Sequence, residues 1–272
     1  MKYETLHNKR IQKIGCGTWS IGGGMSADRS QDARSLAALR SALELGYTHF
    51  DTAEMYASGH SEELLGQAVR ESGISRENLF ITSKVNASNL NYHNLLRSCE
   101  NSLRRLGMDY LDLYLIHWPS SSILLSDSFR ALNQLVREGR VRHIGVSNFD
   151  VKLMKQAQAE SETPLFTNQV PYSLADRSYV HNGVLEYCQE NDILLTAYSP
   201  IEEGRLRVSS TVQAIADAYN AMPYQIALAW LASQTRVITI PMSFNPEHIA
   251  ENFAAADIEL IADEMEQLNQ LA

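Results

Sequence analysis

Short β-branched or aromatic runs alternate with longer stretches of helical period along the chain. The runs 14–19, 47–52, 79–85, 111–118, 141–147, 166–170, 193–198 and 237–240 predict eight strands. Helices are predicted between them. Residues 34–45 carry Leu36, Leu39 and Leu43 on one face, and Gly46 stands where a helix stop belongs. Leu95, Leu96, Cys99, Leu103 and Leu106 recur at helical spacing ahead of Gly107. Ser61, followed by Glu62 and Glu63, reads as the cap and acidic first turn of another helix. Asp127, Asp150 and Pro246 open further helical segments. An uncharged run over 218–235 is interrupted by Asn220, Pro223, Gln225, Ser233 and Gln234, which predicts a buried helix and not a membrane span.

Continuously apolar strands alternating with helices imply parallel strands covered by helices. Eight such units predict an α/β fold of the (β/α)8 TIM-barrel type, as a single domain over residues 1–272, with a short N-terminal β-hairpin ahead of it. An open doubly wound sheet is the alternative. Its Gly-rich turn, G-x-G-x-x-G between first strand and first helix, is poorly matched, and Gly22, Gly23 and Gly24 read as a flexible loop.

The formal net charge of −9 argues against general binding to nucleic acid or to an anionic membrane, while leaving room for a local basic pocket. Cys16, Cys99 and Cys188 lie far apart, form no CxxC pair and are odd in number, so neither a zinc site nor a complete disulfide framework is expected. Residues 1–14 lack the apolar run of a signal peptide. A reducing cytoplasm is the expected location.

In a parallel barrel the carboxyl ends of the strands form the active face. The polar residues ending the predicted strands are Asp51, Lys84, His117, Ser147 with Asn148, Gln169, and Tyr198 with Ser199; Tyr56 lies in the loop just after Asp51. Singly, each has an ordinary structural use as an ion pair, a cap or packing. Converging in one mouth, they suit carbonyl reduction. The alkoxide that forms needs a proton, and a free tyrosine with a pKa of about 10 gives one slowly near neutrality. A neighbouring lysine favours the phenolate and is expected to lower that pKa, an aspartate fixes the lysine, and a histidine orients the carbonyl.

The segments GTWSIGG, DTAEMYASGHSEELLG, LFITSK, LRRLGMDYLDLYLIHWP, GRVRHIGVSNF, NQVPYSL and AYSPIEEGRL resemble the aldo-keto reductase family in order and spacing across nearly the whole chain. The resemblance implies an NAD(P)H-dependent oxidoreductase that reduces aldehydes and ketones reversibly. It places the family's catalytic tetrad on Asp51, Tyr56, Lys84 and His117, with Tyr56 as proton donor. It implies that Ser147, Asn148 and Gln169 bond the nicotinamide carboxamide and that Tyr198 stacks on the ring. The turn from Ser199 through Pro200 and Ile201 to Leu206 would cover the pyrophosphate. Gly17, Thr18, Trp19 and Asp51 would also line the cofactor, and Ser243, His248, Glu251 and Asn252 its adenosine end. Trp19 and Trp118 would wall the substrate pocket beside Tyr56 and His117. No metal is implied, and the family's common form is a monomer.

Two departures stand out. Met242 and His248 occupy positions where many members carry Lys and Arg, the cations that grip the 2′-phosphate of NADP(H). Their loss predicts relaxed or NAD(H)-leaning use unless Arg205, Arg207 or Arg236 replaces them. Only 19 residues follow Phe253, and the loop after His117 is short, which predicts an open site accepting many aldehydes. Two other readings compete. One is a non-catalytic nicotinamide-binding regulatory barrel, as in the family's ion-channel subunits. The other is a metal-dependent hydrolase using His49 and Asp51, which share one face of a strand.

Overall fold

The computed structural model describes residues 1–271. A hairpin of β1 (Tyr3–Leu6) and β2 (Lys9–Gln12) comes first, as expected. Eight strands follow: β3 (Cys16–Gly17), β4 (His49–Asp51), β5 (Phe80–Val85), β6 (Leu111–Ile116), β7 (Val141–Ser147), β8 (Thr167–Pro171), β9 (Leu194–Tyr198) and β10 (Val237–Thr239). Each pairs in parallel with its sequence neighbour. Ile14 bridges Thr239 in parallel, and Gly17 N donates to Pro241 O at 3.0 Å, so the ring closes. The eight expected strands are present, and the first is shorter than residues 14–19 because only Cys16 and Gly17 keep sheet pairing to β4.

The helices between the strands are α1 (Asp32–Leu45), α2 (His60–Ser72), α3 (Tyr92–Leu106), α4 (Leu125–Arg137) and α5 (Val151–Glu160). Then come α6 (Ser178–His181), α7 (Val184–Glu190), α8 (Ser210–Ala218), α9 (Pro223–Ser233), α10 (Pro246–Ala254) and α11 (Ala262–Asn269). Gly46 and Gly107 end α1 and α3 at φ 94° and 66°, a left-handed backbone that favours glycine. Asp150 caps α5 by accepting from Leu153 N at 2.8 Å, whereas Asp127 lies inside the first turn of α4. The uncharged run becomes α9, with Pro223 at its first position and Trp230 fully buried. No helix among the described residues is long and apolar enough to cross a membrane.

Ser61 does not cap α2, which starts one residue earlier, after Gly59. Its hydroxyl is buried and donates to the Thr18 hydroxyl at 2.9 Å. Glu62 is buried as well; it accepts from Ser83 Oγ at 2.6 Å and from Arg105 Nε at 2.6 Å. Glu62 and Glu63 form the expected acidic first turn, and the buried Glu62 also ties α2 to β5 and α3.

Alternation along the strands sorts the core. Outward residues such as Ile81, Val85, Tyr114 and Ile116 pack under the helices. Inward Phe80, Leu113, Leu115, Phe166 and Ile238 form a second cluster that Leu6 and Ile11 of the hairpin plug from below. Lys84 and His117 continue the inward series of β5 and β6 at their carboxyl ends.

Gly66 of α2 faces the end of α3, and a methyl group there would lie 2.2 Å from the Leu106 carbonyl oxygen. Gly66→Ala is expected to lower stability in urea unfolding. Overpacking against backbone costs roughly 1–3 kcal/mol and exceeds the roughly 1 kcal/mol that alanine gains in a helix. A stabilised variant would mean that α2 and α3 separate easily.

Candidate active site

The carboxyl ends of β4, β5 and β6 bring four side chains together. Lys84 is fully buried, and its ammonium donates to the Asp51 carboxylate, to Thr52 O at 2.9 Å and to Tyr56 Oη at 3.2 Å. The second Asp51 oxygen accepts from Gln169 Nε2 at 2.8 Å. Tyr56 stands on a short 3₁₀ turn whose Ala57 and Ser58 have φ of 50° and 54°, held by Ala57 N donating to Gly24 O at 2.7 Å. Its ring, partly exposed at the mouth, meets Trp19 and His117 edge-on at 5.1 and 5.6 Å between centroids. Trp19 and Trp118 are 39% and 48% exposed, so the mouth has an open apolar wall.

The electrostatics correct one expectation. Burial raises the Tyr56 phenol above its ordinary value; Lys84 pulls it down but does not win, and Asp51 adds to the rise. The phenol is therefore held protonated. Burial also disfavours the Lys84 ammonium, but Asp51 and Tyr56 outweigh it and raise its pKa. Burial, helped by Lys84, pushes the His117 imidazole down to about 3, so it is neutral. Its Nδ1 has no hydrogen-bond partner among the described residues.

The groups expected to hold the carboxamide are adjacent and satisfy one another. Ser147 Oγ donates to Gln169 O at 2.7 Å. Asn148, at φ 64°, donates from Nδ2 to His117 O at 3.1 Å and to Ser147 Oγ at 3.0 Å, and it accepts from Tyr198 Oη at 2.9 Å. Beside them a cleft of about 470 Å³ is lined by Pro171, Ala175, Asp176, Ser199, Glu202, Glu203 and Arg205. Pro200 is buried behind that loop, and Ile201 packs on the core. This amide and hydroxyl set suits the carboxamide of an uncharged ring, so Ser147, Asn148 and Gln169 fit the nicotinamide end of a nucleotide.

Other expected contacts also have structural surroundings of their own. Gly17 is required for closure, because a methyl group on it would sit 2.6 Å from Ile240 O. The Thr18 hydroxyl is taken by Ser61. Ser243 Oγ accepts from Asn245 N at 3.1 Å, and Glu251 accepts from the Tyr224 hydroxyl. His248 is exposed beside Tyr224, with ring centroids 5.8 Å apart. Asn252 is buried, and its Oδ1 lacks a partner among the described residues, an acceptor suited to an exocyclic amine such as that of adenine. Arg236 pairs with Glu4 and Asp192 at the hairpin end and is remote from this stretch.

The sequence did not reveal Glu54, which accepts from Asn86 N at 2.6 Å and Asn89 Nδ2 at 3.0 Å and so ties the Tyr56 loop to the loop after β5. Its place two residues before Tyr56 was the only signal. The hydrolase reading loses its ligand, since both Asp51 oxygens are engaged by Lys84 and Gln169.

Neutral His117 gives a pH prediction. Above its ordinary value of 6.5 it is uncharged in both the folded and unfolded chain. As the pH falls below 6.5 the unfolded chain takes up the proton, while the folded chain resists to about 3, so stability declines across that window. Urea unfolding across the window is expected to show a steeper loss for the wild type than for His117→Gln. Parallel curves would show that His117 protonates freely in the fold.

Comparison with known proteins agrees with this geometry. The sequence model of the Aldo/keto reductase family matches residues 13–272. The chain is 39% identical over 266 residues to methylglyoxal reductase YeaE of Escherichia coli, covering 96% of this chain and 90% of that protein. It is 36% identical over 267 residues to glyoxal reductase of Bacillus subtilis, covering 98% and 91%. A thermostable aldo-keto reductase crystallised with the inhibitor epalrestat is similar over 100% of both chains, at 44% identity and a TM-score of 0.96. An aldo/keto reductase of Klebsiella pneumoniae in complex with NADP and acetate is 38% identical, with a TM-score of 0.87 over 97% of this chain and 92% of that one.

Proposed function

The chain belongs to the aldo/keto reductase family, and from that premise we propose that it reduces small reactive aldehydes, α-oxoaldehydes foremost, to alcohols. It is an NAD(P)-dependent oxidoreductase. A bound nicotinamide nucleotide, NADP(H) or NAD(H), supplies the hydride. Ser147, Asn148 and Gln169 would hold its carboxamide, Tyr198 its ring, the loop from Ser199 its pyrophosphate, and Ser243 and Asn252 its adenosine end.

The observation that carries the reading is the buried Lys84 ammonium shared by Asp51 and Tyr56. An ammonium only donates, so at Lys84 the Tyr56 oxygen must accept. The phenol's own proton is left to point elsewhere, toward the mouth. Burial keeps that proton in place until a stronger base arrives, and the oxygen of a carbonyl undergoing reduction is such a base. Tyr56 then gives its proton from Oη to the substrate oxygen, and Lys84 stabilises the phenolate that remains. Neutral His117 offers one N–H to orient the carbonyl oxygen. In the reverse direction the Tyr56 phenolate takes the alcohol proton.

The identity to methylglyoxal and glyoxal reductases supports the substrate class, and the exposed Trp19 and Trp118 support wide acceptance. The same identity to named reductases disfavours a binding-only barrel. Three buried free cysteines support work in the cytoplasm, and the family's common form supports a monomer.

Initial rates of NADPH and NADH oxidation with methylglyoxal test the reading. Tyr56→Phe is expected to lose roughly 10²- to 10⁴-fold in kcat while still quenching its fluorescence on binding NADPH. Turnover preserved in Tyr56→Phe would move the proton donor elsewhere. Cofactor binding with no wild-type turnover on any aldehyde would favour the regulatory barrel.

A further inference from the structure

The stretch that resembles the family's adenosine segment lacks permanent charge at both expected positions. Met242 packs against the core, and His248 is exposed with its ring beside Tyr224. Two of the three arginines that the sequence put forward are already paired. Arg236 is engaged at the hairpin end, Arg205 pairs with Glu203, and Arg207 lies in the exposed loop after β9.

A fourth arginine is there. Helix α1 packs against α10, with Tyr47 Oη just beyond α1 donating to Ile249 O at 3.1 Å. From the first turns of α1 the Arg34 guanidinium reaches over the Phe244 ring, 4.3 Å from its centroid. Its charged neighbours on α1 are occupied, Asp32 by His60 and Arg40 by Glu71. Among the described residues Arg34 has no carboxylate within 4.0 Å. The side chain is exposed.

We infer that Arg34 replaces the missing cations at 242 and 248, binds the 2′-phosphate of NADP(H), and gives this chain its preference for NADP(H) over NAD(H). The inference rests on the nicotinamide reading above. Stacking on Phe244 fixes the plane of the guanidinium while leaving its edge of N–H donors free to fork onto phosphate oxygens. Ser243, next to Phe244, accepts from Asn245 N, so its hydroxyl proton remains available to the same phosphate. The charge comes from a helix outside the matched stretch, which is why inspection of residues 242–252 alone points toward NAD(H).

The test is equilibrium binding of NADP+ and NAD+, by calorimetry or protein fluorescence, to the wild type, Arg34→Ala and Arg34→Lys. The wild type is expected to bind NADP+ more tightly, with a preference that shrinks as salt rises. Arg34→Ala should weaken NADP+ about 10- to 100-fold and leave NAD+ unchanged. Arg34→Lys should fall between, since it keeps the charge and loses the fork. Unchanged NADP+ affinity in Arg34→Ala, or equal weakening of both dinucleotides, would overturn the assignment. The second result would show that Arg34 merely holds Phe244 in place. A wild type that binds neither dinucleotide would overturn it together with the nicotinamide reading.

Discussion

The Lys84 ammonium, fully buried at the end of β5, sets the terms for everything around it. An unpaired charge in a barrel interior is untenable, and even a paired one needs its remaining donors satisfied. Lys84 meets that condition with one carboxylate, one backbone carbonyl and one phenol. Each partner then has to be fixed. Asp51 is held by β4 and by Gln169, and Tyr56 by a turn in left-handed backbone that Gly24 O clamps. The loop between them is moored by Glu54 to the loop after β5. The geometry of the mouth thus follows from how one cation is accommodated.

The chain's two site regions differ in kind. At the strand ends the side chains are buried and neutral apart from the Asp51–Lys84 pair, a setting in which a phenol holds its proton and an imidazole stays uncharged. Around α10 Ile249 and Asn252 are buried while Glu247 and His248 are exposed, and the Arg34 guanidinium arrives from α1. The proposed function assigns proton transfer to the first region and nucleotide discrimination to the second.

Much of this was legible in the sequence because it is local. Strand period, helix stops at Gly46 and Gly107, and the cap at Asp150 depend on neighbours a few residues away, and all are found. Asp51, Lys84 and His117 could be read as strand ends because a parallel barrel puts every strand end on one face. What failed depends on contacts distant in sequence. Ser61 read as the cap of α2, yet Gly59 holds that position and the Ser61 hydroxyl is buried against Thr18. The Tyr56 pKa was expected to fall because Lys84 is visible in the sequence, whereas the burial that reverses the sign is not.

That reversal is the most exposed point of the account, and a tyrosinate difference titration tests it directly. Subtracting the ultraviolet titration of Tyr56→Phe from that of the wild type isolates one phenol. The account predicts that it ionises above its ordinary value of 10.0, so that the acid is fully protonated through neutrality. Ionisation below that value would mean that Lys84 overrides burial, and that Tyr56 rests as a phenolate-leaning base and not as a held acid.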